Sequence, residues 1–508
     1  MNIPFENFTS FRSGQEETII AIRESKAKYV IVNAPTGTGK TILGMMSSIG
    51  HKSVYTVSTK ILQDQIAQDF PEAVVLKGRS NYPCPRYRHI LHFGKPAMAD
   101  SCSKKGCAYL LDSDCQYENT KLSALRSPYR TLNLSYLLTE ANGPGGFSNQ
   151  ELVILDEADN VEQELVGYIS LELGKRDKEL LGSYNLSEPE YLSKQETWKP
   201  WSEELLLILI PEGEKLENLG NNPPEYLISL KKQVKRLVSK LIMLRDCSDS
   251  TWIRYEIEGK TVYKPTWLTP ILSERFLFRH GKKFVLLSAT FPEIGTYCRM
   301  LGIPESDAEV IELPCTFPIE NRRIVFDLDS AVDMAYKTQD IDGLLKQVKI
   351  ILSRHKSDKG VIHTTSYRLK DAVMSLGDKR LTTHAVSDRE AVIEAFKRSE
   401  RPLVLVSPSV ERGINLPDDL CRFQIIAKVP YQSTQDRVVS ARLYGSKFGQ
   451  QWYQADAAQR IVQMAGRGVR HGTDTCVTYI LDSQFKKLYV QPRLFPKWFL
   501  EAVDIGDV

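Results

Sequence analysis

Residues 29–50 hold the feature that most narrows what this chain can become. Tyr29-Val-Ile-Val-Asn33, an apolar β-branched run, leads straight into Ala34-Pro-Thr-Gly-Thr-Gly-Lys-Thr41, and a helical pattern follows over Thr41–Gly50. A strand that ends in a glycine loop opening a helix belongs in a parallel sheet, because the helix carries the chain back for the next parallel strand. Gly37 and Gly39 let backbone amides turn inward, and the positive end of the helix dipole adds to the field they make. Such a cradle, formed by Ala34, Pro35, Thr36, Gly37, Thr38 and Gly39, suits the phosphates of a nucleotide. Lys40 would reach the β- and γ-phosphates, and the Thr41 hydroxyl would bind Mg²⁺. The strict phosphate-loop pattern has Gly where Ala34 stands. The plainer reading is a glycine-rich turn with a surface lysine.

The rest of the chain repeats the strand–helix alternation. Apolar runs bounded by turn signals recur at Ser53–Val57, Leu152–Leu155, Phe284–Leu287, Arg323–Phe326, Gly360–His363, Leu403–Val406, Phe423–Ala427 and Cys476–Leu481, with amphipathic stretches such as Ile61–Phe70 and Asp388–Arg398 between them. Short buried strands alternating with helices predict an α/β fold of two parallel-sheet lobes. The rhythm breaks twice. Residues 78–121 have few strand signals, and residues 160–280 read as mostly helical, with a basic face (Lys231, Lys232, Lys235, Arg236, Lys240) and the pair Trp198 and Trp201. Core packing is the favoured role for those two indoles, ahead of contact with nucleic acid.

Two further segments carry chemistry. The run Leu152–Leu155 delivers Asp156-Glu157-Ala158-Asp159 at its carboxyl end. In an open parallel sheet, Asp156 placed there would hold Mg²⁺ through water, and Glu157 would orient or deprotonate an attacking water. Near the C-terminus, Gln463-Met-Ala-Gly-Arg-Gly-Val-Arg470 sets Arg467 and Arg470 three apart, a spacing that on a helix puts both guanidiniums on one face. From a second lobe, such arginines would stabilise charge developing on a γ-phosphate. Gly466 and Gly468 suit close backbone approach better than a solvated helix.

Composition excludes several classes. Hydrophobic residues make up 42% of the 508, and charged residues 25%, so disorder and fibrous repetition are ruled out. The net charge of +3 excludes bulk electrostatic coating of a polyanion, so a nucleic-acid site must be a local groove. The longest aliphatic run, Leu205 to Ile210, falls far short of the roughly 20 residues needed to span a bilayer. The N-terminus has no signal-peptide pattern, so the expectation is a soluble intracellular, cytoplasmic protein without membrane contact. Four of the nine cysteines, Cys84, Cys102, Cys107 and Cys115, fall within residues 84–115, separated by 17, 4 and 7 residues. In a reducing compartment such clustering points to a metal or cluster site, not to disulfides. Lys77, Arg79, Arg86, Arg88, Lys95, Lys104 and Lys105 surround them against one acid, Asp100, with Tyr82, Tyr87, His89, His92, Phe93 and Tyr109 interleaved. That is the footprint of a phosphate-binding groove with stacking rings, although any single ring more often packs the small domain.

Together these segments resemble superfamily 2 helicases of the iron–sulfur group, the xeroderma pigmentosum group D and bacterial DinG-type helicases. Phe11-Arg-Ser-Gly-Gln15 is similar to the family's adenine-reading Q segment, with Gln15 as reader. Ala34–Thr41 matches motif I, Ser58–Gln65 motif Ia, Leu155–Asp159 motif II, Leu287–Thr290 motif III, Gly360–Ser366 motif IV, Ser409–Pro417 motif V and Gln463–Arg470 motif VI. The resemblance implies two RecA-like motor lobes, the first carrying an Fe–S insertion and a helical arch. The implied division is 1–77, 122–162 and 269–316 for lobe 1, 78–121 for the Fe–S domain, 163–268 for the arch and 317–508 for lobe 2. It also implies a [4Fe–4S] cluster on the four cysteines; zinc is the competing occupant. Three departures stand out: Asp159 where His is usual, Arg412 where Glu is common and Asn415 where Asp is common.

The expected function is an ATP-dependent DNA helicase that acts on single-stranded and forked DNA, runs 5′ to 3′ by resemblance, and works as a monomer. The alternatives are a DNA-stimulated translocase or remodeller that does not separate strands, and a binding module with a vestigial pocket. The motifs and insertions use the chain to about residue 482, leaving a short tail. Lys40→Ala is expected to abolish ATP hydrolysis. Arg467→Ala is expected to lower turnover with ATP binding largely kept; normal turnover there removes Arg467 from the finger role.

Overall fold

The computed structural model describes every residue except 93–94, 103–106, 108–113, 187, 189–194, 218, 221–222, 409–415 and 507–508. Two seven-stranded sheets organise it. The first runs in the order Ala308–Glu312, Tyr29–Asn33, Gly281–Ser288, Gln150–Asp156, Ser53–Val57, Arg130–Asn133, Val74–Val75, all parallel. Every residue of Ser53–Val57 is buried, because helices cover both faces of a parallel sheet and its strands become continuous apolar runs instead of alternating ones. The second runs Leu381–Thr383, Val404–Ser407, Gly360–His363, Phe423–Ile426, Val477–Ile480, Ile324–Val325, Val503–Asp504, also all parallel. The α/β, two-lobed expectation therefore holds.

Parts of this could not be read from apolar runs. Arg130–Asn133 and Leu381–Thr383 are short strands with little apolar content, and Ala308–Glu312 is a half-exposed edge strand whose acids interrupt its apolar residues. The residues after 482 are not a loose tail. Phe485, Phe499 and Ala502 sit in the lobe 2 core, and Val503–Asp504 adds the sheet's last strand beside Ile324–Val325.

The stretch read as mostly helical contains a sheet as well. Helices Val161–Ile169, Lys175–Ser183, Trp198–Glu217 and Glu225–Cys247 accompany an antiparallel sheet of Leu171–Leu173, Lys260–Pro265 and Trp252–Ile257. The hairpin turns on Glu258 (φ 49°) and Gly259 (φ 74°), the two consecutive left-handed residues that a tight hairpin needs. Trp198 and Trp201 are buried and pack on Tyr263 at ring separations of 5.2 and 5.9 Å. Most of the basic face is spent internally: Lys231 pairs with Glu217 at 3.1 Å, Lys232 with Asp100 at 3.0 Å, Arg236 with Asp177, and Lys240 donates to the Tyr168 carbonyl, while Lys235 stays exposed.

The Lys232–Asp100 pair ties the two insertions together. Ile228, on the helix Glu225–Cys247, packs into the small core of Cys84, Tyr87, Ile90 and Ala97, and Arg86 donates to the Leu219 carbonyl at 3.2 Å. Among the described residues, no helix is long and apolar enough to cross a membrane.

Two buried histidines make the fold acid-sensitive. His280 and His363 are both pushed down to about 4, chiefly by burial. Unfolded, each titrates near 6.5, so the unfolded chain takes up protons first as pH falls. Their contribution is complete above about pH 6.5 and is lost as pH drops toward 4. The thermal midpoint is expected to fall across that window, less steeply in a His280→Gln/His363→Gln variant; equal slopes would place the acid sensitivity elsewhere.

Candidate functional site

The site forms where three strands of lobe 1 end side by side. Asn33 registers with Ser288, and Leu287 with Asp156, so the glycine loop and the acids leave the sheet at one level with the Ser288 strand between them. The Ala34 amide donates to the Ser288 carbonyl at 2.9 Å, which fixes where the loop departs. Gly37 and Gly39 both have φ 79°, left-handed values at no steric cost for glycine. Gly39 is the N-cap of the helix Lys40–Ser48, so the first helical amides face the loop.

Lys40 and Asp156 are half-buried and act on each other. Burial lowers the pKa of Lys40, while Asp156 and then Glu157 counter it. Burial raises Asp156, while Lys40 and the Tyr55 hydroxyl pull it back. Tyr55 donates to Asp156 Oδ2 at 2.6 Å, the Glu157 amide donates to Oδ1 at 2.8 Å, and Ser58 donates to Glu157 Oε2. Glu157 takes φ 50°, a left-handed conformation uncommon outside glycine. Gln15 is buried with its amide spent on the protein: Oε1 accepts from the Arg12 amide at 2.8 Å, and Nε2 donates to the Thr38 carbonyl at 2.6 Å. Arg12 also donates to the Gly37 carbonyl. The Q segment thus grips the phosphate loop.

Lobe 2 enters the same crevice. A Cβ on Gly37 would lie 2.5 Å from the Arg470 carbonyl oxygen and 2.6 Å from the Phe317 ring, and one on Gly466 would lie 3.4 Å from Thr36 Oγ1. Arg470 lies close enough to lower the pKa of Lys40 further, and its own pKa is lowered by burial. Its Nε is buried and finds no hydrogen-bond acceptor. Its backbone amide donates to the wholly buried Asp474 at 3.0 Å. Two close cations, one with an orphaned donor, are what a polyphosphate would satisfy.

The arginine geometry differs from the expectation. The helix Gly449–Ala465 ends before Arg467, so Arg467 and Arg470 project from the turn that follows it and share no helical face. Gly468 explains the break: a Cβ there would lie 2.2 Å from the Cys476 sulfur, so the chain must run flat against the neighbouring strand. Motif V positions 409–415, including Arg412 and Asn415, lie outside the described residues.

Asp159 joins the lobes. Ser288 donates to its Oδ1 at 2.7 Å, and Gln463 from lobe 2 donates to its Oδ2 at 3.0 Å. Gln459, one turn earlier on the same helix, donates to the Thr290 carbonyl at 2.8 Å. A second bridge lies deeper. Arg442 of lobe 2 pairs with Glu162 and donates to the Thr266 carbonyl at 2.6 Å. Its guanidinium sits 4.8 Å from the Trp267 ring and 5.2 Å from the Trp452 ring. Sequence reasoning passed over Tyr55, Gln459, Glu162 and Arg442. A tyrosine amid apolar strand residues is a weak signal for the first, and nothing local marks the other three.

Cys84, Cys102, Cys107 and Cys115 line one small cavity with Arg79, Tyr117 and Glu118. Cys102 is pulled down to about 6, first by its hydrogen bond with Cys84 and then, against burial, by Arg79. Arg79 lies 3.7 Å from the Cys102 sulfur and donates to its carbonyl at 2.9 Å. An all-thiol donor set of this kind suits either a zinc ion or an iron–sulfur core. Of the surrounding rings, Tyr82 and Tyr87 are buried packing residues; Arg88 and His89 stay exposed.

Two parallel-sheet lobes bring a phosphate loop, paired acids and Arg470 into one cleft, an arrangement suited to a nucleotide. Residues 351–502 match the family described as the helicase C-terminal domain. The chain is 20% identical over 597 aligned positions to the ATP-dependent DNA helicase YoaA of Haemophilus influenzae, covering 94% of this chain and 92% of that protein. It is 30% identical over 118 residues to the regulator of telomere elongation helicase 1 homolog of Caenorhabditis elegans, a match that spans 21% of this chain and 12% of that longer protein. A solved XPD helicase superposes with TM-score 0.62 at 17% identity, covering 99% of this chain and all of that one, and S. tokodaii Xpd4 superposes with TM-score 0.54 at 16% identity, covering 98% and 100%. The chain thus carries a helicase C-terminal segment over residues 351–502, and its overall fold is similar to that of the XPD structures.

Glu162→Gln is expected to lower the thermal midpoint, because removing one partner of a buried pair costs about 3–5 kcal/mol. A Glu162→Leu/Arg442→Met variant should recover most of that loss. A Glu162→Gln protein that melts like wild type would show that the bridge contributes nothing to lobe docking.

Proposed function

We propose that this chain is an ATP-driven DNA helicase that moves 5′ to 3′ along one strand as a monomer and parts the duplex ahead of it. The observation that carries this reading is the meeting of Lys40, Asp156 and Glu157 from lobe 1 with Gln463 and Arg470 from lobe 2 in one cleft. Lys40 and the loop amides from Pro35 to Gly39 bind the triphosphate, and Thr41 and Asp156 are the residues to hold Mg²⁺. The ion, when bound, neutralises phosphate charge and orients the γ-phosphoryl group. Glu157, fixed by Ser58, orients the attacking water, and Arg467 and Arg470 stabilise charge on the transferring group.

Binding energy becomes movement because a γ-phosphate gives Arg470 and Lys40 a shared counter-charge and so favours the closed cleft, and its loss removes that preference. Asp159 links this to the Ser288–Thr290 segment and to Gln463. Each lobe also offers an exposed, capped helix start, Thr59 before Lys60–Asp69 and Ser366 before Tyr367–Met374, suited to a sugar–phosphate backbone.

Cys84, Cys102, Cys107 and Cys115 are the residues to hold a [4Fe–4S] cluster, supported by the single small cavity that all four thiols line. We assign 78–121 to this cluster domain and 163–268 to the arch, with lobe 1 in 1–77, 122–162 and 269–316 and lobe 2 in 317–508. The contacts of Lys232, Ile228 and Arg86 that join arch and cluster domain support an enclosed strand path beside lobe 1.

The test pairs a DNA-stimulated ATPase assay with strand separation on a 5′-tailed fork and metal analysis of anaerobically purified protein. Stimulated hydrolysis, unwinding and about four irons per chain are expected, with Cys102→Ser bleaching the protein and costing unwinding more than nucleotide binding. Hydrolysis without strand separation leaves a translocase, unwinding only from 3′ tails reverses the direction, and stoichiometric zinc replaces the cluster.

A further inference from the structure

The two residues assigned to Mg²⁺, Thr41 and Asp156, come from different elements: the first turn of a helix and the end of a strand. Tyr55 stands between them. Its hydroxyl donates to Asp156 Oδ2 at 2.6 Å, and the Thr41 side chain lies beside it. It belongs to the strand Ser53–Val57, where it registers with Ile154, two residues short of Asp156. Two strand residues rise by about 6.6 Å, close to the reach of a tyrosine side chain lying along the strand. The ring therefore spans from the middle of the sheet to its carboxyl edge.

The neighbourhood is built to admit that ring. Tyr55 is 2% exposed. A Cβ on Gly44 would lie 2.5 Å from Tyr55 Cε2, so the helix Lys40–Ser48 carries its one interior glycine where the ring passes beneath it. Glycine inside a helix costs about 1 kcal/mol relative to alanine, so its place here answers a steric demand. No part of the hydrolysis scheme above uses this phenol.

We propose that Tyr55 is a positioning residue for the metal–nucleotide site: its hydroxyl, bonded to Asp156, sets the orientation of the carboxylate that holds Mg²⁺. With the phenol proton on Oδ2 and the Glu157 amide on Oδ1, the carboxylate is held at both oxygens and cannot swing. Phenylalanine at position 55 keeps the ring and its packing but removes the hydrogen bond. The inference rests on the motor reading given above, and it concerns metal-dependent affinity, not the existence of the pocket.

The experiment titrates a fluorescent ATP analogue into wild type and Tyr55→Phe, with Mg²⁺ and with EDTA. Wild type should bind more tightly with Mg²⁺. Tyr55→Phe should match wild type in EDTA, keep its thermal midpoint within a few degrees, and lose roughly tenfold of the Mg²⁺-dependent gain. The Mg²⁺ concentration giving half-maximal hydrolysis should rise by a similar factor, with maximal turnover largely restored at saturating metal. A Tyr55→Phe protein with the full wild-type gain overturns this inference alone. Equal loss of affinity with and without Mg²⁺ also overturns it, by assigning the residue to pocket integrity. A wild type that binds no nucleotide in either condition overturns the motor reading as well.

Discussion

Asp159 is the constraint on which the working arrangement depends. It sits one turn beyond the acids of its own strand, yet its two oxygens serve different lobes, one accepting from Ser288 and the other from Gln463. A carboxylate whose acceptors are divided in this way cannot satisfy both donors unless the lobes are docked, so cleft closure and local hydrogen bonding become one event. Where relatives place a histidine, an acid makes the link through charge-assisted bonds that accept only. Arg442 and Glu162 repeat the design in a drier setting, with the guanidinium between two indole rings.

The electrostatics of the nucleotide cleft follow from burial. Lys40 is driven toward neutrality and Asp156 toward protonation by the same desolvation, and each partly rescues the other. Arg470, held by its backbone on Asp474, brings a second cation toward Lys40. The repulsion between them is tolerable with acids near and favourable only with an anion between. The glycines matter for the same reason: Gly37 and Gly468 stand where another backbone or a sulfur comes too close for a side chain.

The insertions show why composition is a poor guide to a binding surface. The lysines and arginine at 231–240 look like a basic track in sequence, but the structure spends most of them on Glu217, Asp100, Asp177 and a carbonyl. Of the basic residues near the cysteines, Lys77 pairs with Asp64, Arg79 turns onto Cys102, and Arg86 holds the Leu219 carbonyl. Charge that is paired inside a fold does not attract a polyanion. Arg88, still exposed, keeps that capacity.

What the amino-acid order determined by itself is what depends on local spacing. The glycine loop, the acids at the end of an apolar run, the cysteine cluster and the alternation of buried strands with helices are short-range patterns, and steric and solvation rules act on them directly. Edge strands such as Ala308–Glu312, the hairpin in the arch and the closing strand Val503–Asp504 needed partners from elsewhere, since their own residues carry only short or interrupted apolar runs. Only the tertiary structure decided that Arg467 and Arg470 leave a helix instead of sharing its face, because Cys476, which leads into a different strand, lies directly against Gly468. It alone brought Tyr55 to Asp156 and Arg442 to Glu162, across 101 and 280 residues of chain. Contacts that long depend on how whole layers stack, and no local pattern encodes them.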